Sequence, residues 1–244
     1  MSDRNTTSGV IWLAIVLIAV SIATSTMGLF MDSWRTAESD EKGDRGWGLT
    51  SVTYDCTGVA ADDDQDWCKS VMIIMDLGFD DAMEKYGDDE DEIPLEGSIA
   101  TSEMCENLDE LSAEDSDDVE NCIDTRTAGN FGNTMLWIGF SGAIISLILC
   151  LITTYSRDSE SRIGGGVMAI IAGLLMGVAV LTWVLMLPDG IGGQEGDWDA
   201  GVNFYLTLVG AFLSLVAGII ALVAKRKEGS FVSIPGQLAQ QKQW

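Results

Sequence analysis

The 244-residue chain contains no histidine. That absence removes the commonest general base, the Ser–His and Cys–His nucleophile pairs and most zinc sites. Bases are scarce too: 13 Lys and Arg stand against 38 Asp and Glu, a net charge of −25. Such a balance is electrostatically hostile to nucleic acid and to anionic lipid head groups. With only 3 Pro and 47% hydrophobic residues, the chain reads as one ordered domain, not a disordered one. It also lacks a Cys-x-x-Cys pair, a phosphate-cradling Gly-rich loop and a dinucleotide fingerprint. Gly139-Phe140-Ser141-Gly142-Ala143 misses the last Gly of a nucleophile elbow and lies in an apolar run, so it reads as packing. No enzyme chemistry, catalytic residue or cofactor is expected.

A second absence is of charge within four stretches. Residues 10–30, 134–155, 164–187 and 202–224 contain no Asp, Glu, Lys or Arg. Each is long enough to cross a bilayer, which takes about 20 mostly apolar residues. Pumps and secondary transporters place ionisable groups or broken helices near the midplane, and these stretches have neither. The first could serve as a secretory signal, with Ala23-Thr24-Ser25 as its cleavage site. Its apolar character runs on to Phe30, which favours a retained helix.

What charge there is lies unevenly. Residues 31–130 hold 30 of the 38 acids and 6 of the 13 bases, a net −24. Bases flank the other ends of the spans: Arg4, Arg157, Arg162 and Lys225-Arg226-Lys227, while 188–201 has none. The positive-inside rule then puts both termini and the tail 225–244 in the cytoplasm. The acidic loop 31–130 and the short loop 188–201 fall outside. A multi-pass protein of the plasma membrane is expected. Four of the 5 Cys, Cys56, Cys68, Cys105 and Cys122, lie in the acidic loop, which suits an oxidising compartment. Of three possible pairings, proximity favours Cys56–Cys68 and Cys105–Cys122. Cys150 lies in an apolar run and reads as a small buried residue.

Inside the loop, Val52, Tyr54 and Cys56 alternate with Thr53 and Asp55, the period-2 pattern of a half-buried strand. Lys69–Phe79 reads as a second strand, which Cys56–Cys68 would staple to the first. Asp88–Glu92 reads as a solvated irregular turn. Met104, Leu108 and Leu111 recur at helical spacing within Ser98–Leu111. Asp62-Asp63-Asp64-Gln65-Asp66 spaces oxygen ligands as calcium loops do. An EF-hand is excluded, because Trp67 replaces its Gly and Ile73 its bidentate Glu. Asp62, Asp64 and Asp66 remain candidates for a loose divalent-ion patch. In the spans, small residues recur every four positions: Gly165, Ala169, Gly173 and Gly177; Gly210, Ser214 and Gly218; Gly139 and Ala143. Such ladders let helix backbones approach closely.

Trp34, Gly48-Leu49, Cys56 and Cys68, in that order after a first span, resemble the claudins and their PMP22-type relatives. Cys68-Lys69-Ser70-Val71 and Gly201-Val-Asn-Phe204-Tyr205-Leu206 resemble that family's second-Cys strand and fourth-helix start. The chain departs from it at Thr50, in the Cys-bearing stretch 87–122, and in the ending Gln-Lys-Gln-Trp244. The resemblance implies a left-handed four-helix bundle capped by a small disulfide-stapled antiparallel sheet. Most strands would come from Trp34–Ile74, and one from Pro188–Gly201. It implies that Trp34, Gly48, Leu49, Cys56 and Cys68 hold the fold. It also implies a protein of membranes or cell contacts that self-associates through its outer loops as a homo-oligomer. The competing reading is an accessory subunit of a channel, transporter or other membrane-protein partner, or a cation-conducting assembly using the acidic loop. The acid-rich, His-free composition suggests a marine or halophilic microbe.

Overall fold

The computed structural model describes residues 3–31, 33–37, 44–59, 62–86, 93–111, 117–156, 159–186 and 199–224. Among the described residues, four helices are long and apolar enough to cross a membrane: α1 (Asp3–Phe30), α5 (Asp117–Ser156), α6 (Ser159–Met186) and α7 (Val202–Val223). They pack as a ring in which α7 lies between α1 and α6, and α5 between α6 and α1. Lipid gives helices no hydrophobic reason to associate, so close packing and hydrogen bonds must hold them. A serine crosses three of the four seams. Ser21 Oγ donates to the Gly210 carbonyl (2.7 Å), Ser146 to that of Gly165 (2.7 Å) and Ser214 to that of Ala169 (2.8 Å). The small-residue ladders lie in the same seams. A Cβ on Gly218 would sit 2.7 Å from the Gly166 carbonyl, and one on Gly173 2.7 Å from that of Ala211. Gly177, by contrast, faces open space.

Helix α5 is much longer than its apolar run. Its 40 residues rise about 60 Å, twice the roughly 30 Å of a hydrocarbon core. The polar first half, from Asp117, stands clear of the apolar run as a stalk. Cys122, Thr125, Ala128 and Leu136 on it are buried, the spacing of one helix face. Cys122 is bonded to Cys105 in α4 (Thr101–Leu111).

The sheet contains β1 (Arg35–Ala37), β2 (Asp44–Trp47), β3 (Ser51–Asp55), β4 (Glu96–Ala100) and β5 (Asp199–Ala200). Its order is β4-β3-β2-β1-β5, antiparallel throughout. Trp47, Val52 and Ile99 stand opposite one another and are buried, so this row carries the sheet's inner face. Strand β5 pairs with β1 through Arg35 and Ala200, tying the entry to α7 to the exit from α1. The sheet draws one strand from the short loop, as expected, but β4 comes from beyond Ile74.

The expected strand Lys69–Phe79 is a helix. α2 runs Asp62–Leu77, and a positive φ of 80° at Gly78 turns the chain into α3 (Phe79–Tyr86). Cys68, Lys69, Met72 and Ile73 are the buried positions, a helical stripe and not an alternation. Cys56–Cys68 therefore ties the end of β3 to a helix instead of joining two strands. Asp88–Glu92 lies outside the described residues.

Candidate functional site

The sheet meets the bundle at Trp34. Its indole Nε1 donates to the Gly28 carbonyl (2.7 Å), and its ring stands edge-on to Trp183, 6.1 Å away. Its backbone N–H donates to Trp47 O (2.9 Å), and its carbonyl accepts from Gly201 (2.8 Å). One residue thus joins the elements: its buried side chain meets α1 and α6, and its backbone bonds β2 and the start of α7. Leu49 completes the joint from the other side. It is buried, and its carbonyl lies so close to Gly129 on the stalk that a Cβ there would collide with it. Gly48 N–H donates to Ser51 O (2.7 Å) in the β2–β3 turn.

Next to this joint, Asn203 in the first turn of α7 has no exposed surface. Its backbone N–H donates to Ser33 O (3.1 Å), and its carbonyl accepts from the Thr207 hydroxyl (2.8 Å). Neither Nδ2 nor Oδ1 of its carboxamide has a hydrogen-bond partner among the described residues.

The outward face of the sheet is polar. Cross-strand pairing places Asp44, Asp55 and Glu96 in one row, and Thr36, Gly46, Thr53 and Ser98 in the next. These residues, with Arg45 and Tyr54, line an open cleft of about 640 Å³. The Thr57 hydroxyl (2.6 Å) and backbone N–H (2.8 Å) donate to Asp55 Oδ1, which holds the Asp55 carboxyl below its usual range. Burial pushes the Tyr54 phenol up, with Asp76 and then Tyr86 adding to it. Burial alone draws the Arg45 guanidinium down. Glu96 and Ser98 were missed as part of this face, since only Ile99 in β4 signals an inward position.

The candidate metal residues are placed differently. Asp62 opens α2, Asp64 is exposed, and Asp66 pairs with Lys69 at 2.6 Å. On a helix, residues two apart point about 200° from each other, so α2 turns the Asp64 and Asp66 carboxylates apart where a calcium loop would gather them. Among the described residues no group of three His, Cys, Asp or Glu could hold a metal ion. Apolar side chains also face outward in this region: Trp67 (47% exposed), Phe79 (52%) and Met83 (49%). Phe79 and Met83 are four apart on α3 and share a face. The arrangement presents contact surface, polar on the sheet and apolar on α3.

Comparison with known proteins bears on which family this is. No curated protein matches the chain at a significant level. A family profile does match, over residues 108–232, from the end of α4 through the Cys122 stalk and all of α5, α6 and α7. The family is that of the dual oxidase maturation factors, and the claudin and PMP22-type resemblance is thereby corrected. Trp34, Gly48, Leu49, Cys56 and Cys68, which carried that resemblance, all lie outside the matched stretch. They perform general tasks for a sheet seated on a bundle: an indole bond back to the end of the first helix, a tight turn and a staple. The staple even joins different elements from those the resemblance implied. A match over half the chain, centred on the three helices that build most of the bundle, decides the family: this chain belongs to the dual oxidase maturation factors.

Proposed function

We propose that the chain is a non-enzymatic accessory protein of the membrane that binds a dual oxidase and supports its maturation. The observation that carries this reading is the family match across α5, α6 and α7. The accessory-subunit reading of the sequence fits it, whereas adhesion by self-association has no support from it. The bundle acts as scaffold, and Trp34, Leu49 and the two disulfides seat the outer domain on it. The polar sheet face and the α3 stripe are the surfaces offered to the partner.

The domain organisation follows the same reading. Spans 10–30, 134–155, 164–187 and 202–224 cross the membrane, leaving both termini cytoplasmic and loops 31–130 and 188–201 outside. An even number of spans and two disulfides in the outer loop support that orientation, because disulfides persist in oxidising compartments.

Co-expression with a dual oxidase tests the proposal. The partner's surface abundance and oxidase activity should rise several-fold with this chain present. Unchanged abundance and activity would remove the basis for a maturation role.

A further inference from the structure

The two sides of the joint between sheet and bundle are held in different ways. On one side stand Trp34 and Leu49, both buried. Trp34 meets the Gly28 carbonyl and the Trp183 ring, and the Leu49 carbonyl presses on Gly129 of the stalk. On the other side, residues 199–203 lead from β5 into α7 and bury no apolar side chain. Asp199 and Ala200 are exposed, Gly201 has no side chain, and Val202 is 60% exposed. The one side chain this strap buries is that of Asn203, whose carboxamide has no hydrogen-bond partner among the described residues.

Backbone hydrogen bonds therefore hold the strap. Strand β5 is two residues long and lies at the sheet edge, paired with β1. The Gly201 N–H donates to the Trp34 carbonyl (2.8 Å), and the Asn203 N–H to that of Ser33 (3.1 Å). Gly201 caps α7 without a side-chain hydrogen bond, and a Cβ there would collide with the Ser33 carbonyl. Further along α7, Thr207, Gly210, Ala211 and Ser214 are buried and seat the helix in the bundle. Segments with few buried apolar contacts open locally, well below the free energy of global unfolding. Asn203 acts in the same direction: its unpaired carboxamide penalises the closed strap, and the penalty is relieved once the group meets water.

We propose that residues 199–203 form a releasable latch between the sheet and α7. Trp34 and Leu49 are the pivot that stays closed. Release breaks the β1–β5 pairing and the bonds from Gly201 and Asn203. The sheet is then free to tilt on the pivot while the four helices stay packed. Asn203 sets how readily the latch opens. The latch stands independently of the dual oxidase reading.

The test is hydrogen–deuterium exchange of the full chain in nanodiscs, read by mass spectrometry of peptic fragments. Corrected for intrinsic rates, fragment 199–206 of the wild type should exchange at least about tenfold faster than fragment 45–54 in β2 and β3. Urea below the unfolding range should leave the rate of 199–206 unchanged, because a local opening exposes little surface. Asn203→Leu should slow that fragment about 5- to 30-fold, the relief of an unpaired polar group less some overpacking. A second variant closes the latch without touching Asn203. Thr36 and Asp199 are paired across β1 and β5, within disulfide reach. Oxidised T36C/D199C should bring 199–206 to the rate of 45–54, and mild reduction should restore the fast exchange. Equal protection of the two fragments in the wild type, or a steep rise with urea, would overturn the proposal. So would unslowed exchange in Asn203→Leu or in the oxidised T36C/D199C chain.

Discussion

Asn203 offers the sharpest energetic test of the joint between sheet and bundle. Its carboxamide is fully buried, with Nδ2 and Oδ1 both lacking partners among the described residues. A buried polar group left without a hydrogen bond costs about 1–3 kcal/mol. Replacing it by an apolar group of like shape returns that cost. Leucine keeps the branch at Cγ and puts methyls where the oxygen and nitrogen stand. Its greater bulk takes back part of the gain through overpacking. Asn203→Leu should therefore stabilise the protein by about 1–2 kcal/mol, a rise in Tm of about 2–8 °C for a chain of this size. Asn203→Asp should do the reverse. The dipole at the α7 N-terminus returns at most about 1 kcal/mol at an ordinary site, while an unpaired buried carboxylate costs several. Thermal unfolding of the purified protein in one detergent measures both. A loss of 1 kcal/mol or more in Asn203→Leu, with little change in Asn203→Asp, would show that the carboxamide is paired and would refute the reasoning.

Three further predictions test other parts of the structure. Replacing Ser21, Ser146 and Ser214 together by Ala removes three interhelical donors to backbone carbonyls; at about 0.6 kcal/mol each the loss should be about 2 kcal/mol by unfolding in mixed micelles, and no loss would mean that these bonds do not hold the seams. Cys105→Ser with Cys122→Ser opens a bridge spanning 17 residues and should cost about 3 kcal/mol, read as protease sensitivity of the stalk while the spans stay intact. Because the Asp55 carboxyl is held low by Thr57, its contribution is complete above the ordinary carboxylate pKa and is lost as pH falls through the depressed value. Thr57→Val should move the Asp55 titration upward, followed by carboxyl carbon NMR shifts; an unmoved titration would mean that the hydroxyl does not set it.

The parts legible in the sequence were those governed by one strong physical requirement. A bilayer tolerates few charges, so the four spans stand out by their lack of them, and β3 showed itself through the alternation of Val52 and Tyr54. Helix α2 was misread because Val71-Met-Ile-Ile-Met75 is a short β-branched apolar run, which periodicity alone does not assign. The spacing of Cys68, Met72 and Met75 carried the helical signal. Strand β4 was hidden because it is held by backbone pairing along β3 and has Ile99 as its one inward anchor. The stalk of α5 was hidden because the acidic Asp117, Asp118 and Glu120 that open it carry no apolar stripe, although Cys122, Thr125 and Ala128 repeat at helical spacing. Asn203 owes its significance to a tertiary neighbour, Ser33, which no local pattern reveals. The family was misassigned for a related reason. Trp34, Gly48, Leu49 and the Cys pair answer the mechanical needs of seating a sheet on helices, needs that different families share.

The central claim, that this membrane protein serves a dual oxidase, is tested most directly by purifying the two together. The tagged chain should be co-expressed with a dual oxidase, extracted in mild detergent and sized by light scattering. The account predicts a stoichiometric complex that survives gel filtration. Recovery of this chain alone or as homo-oligomers, with the oxidase eluting separately, would contradict it.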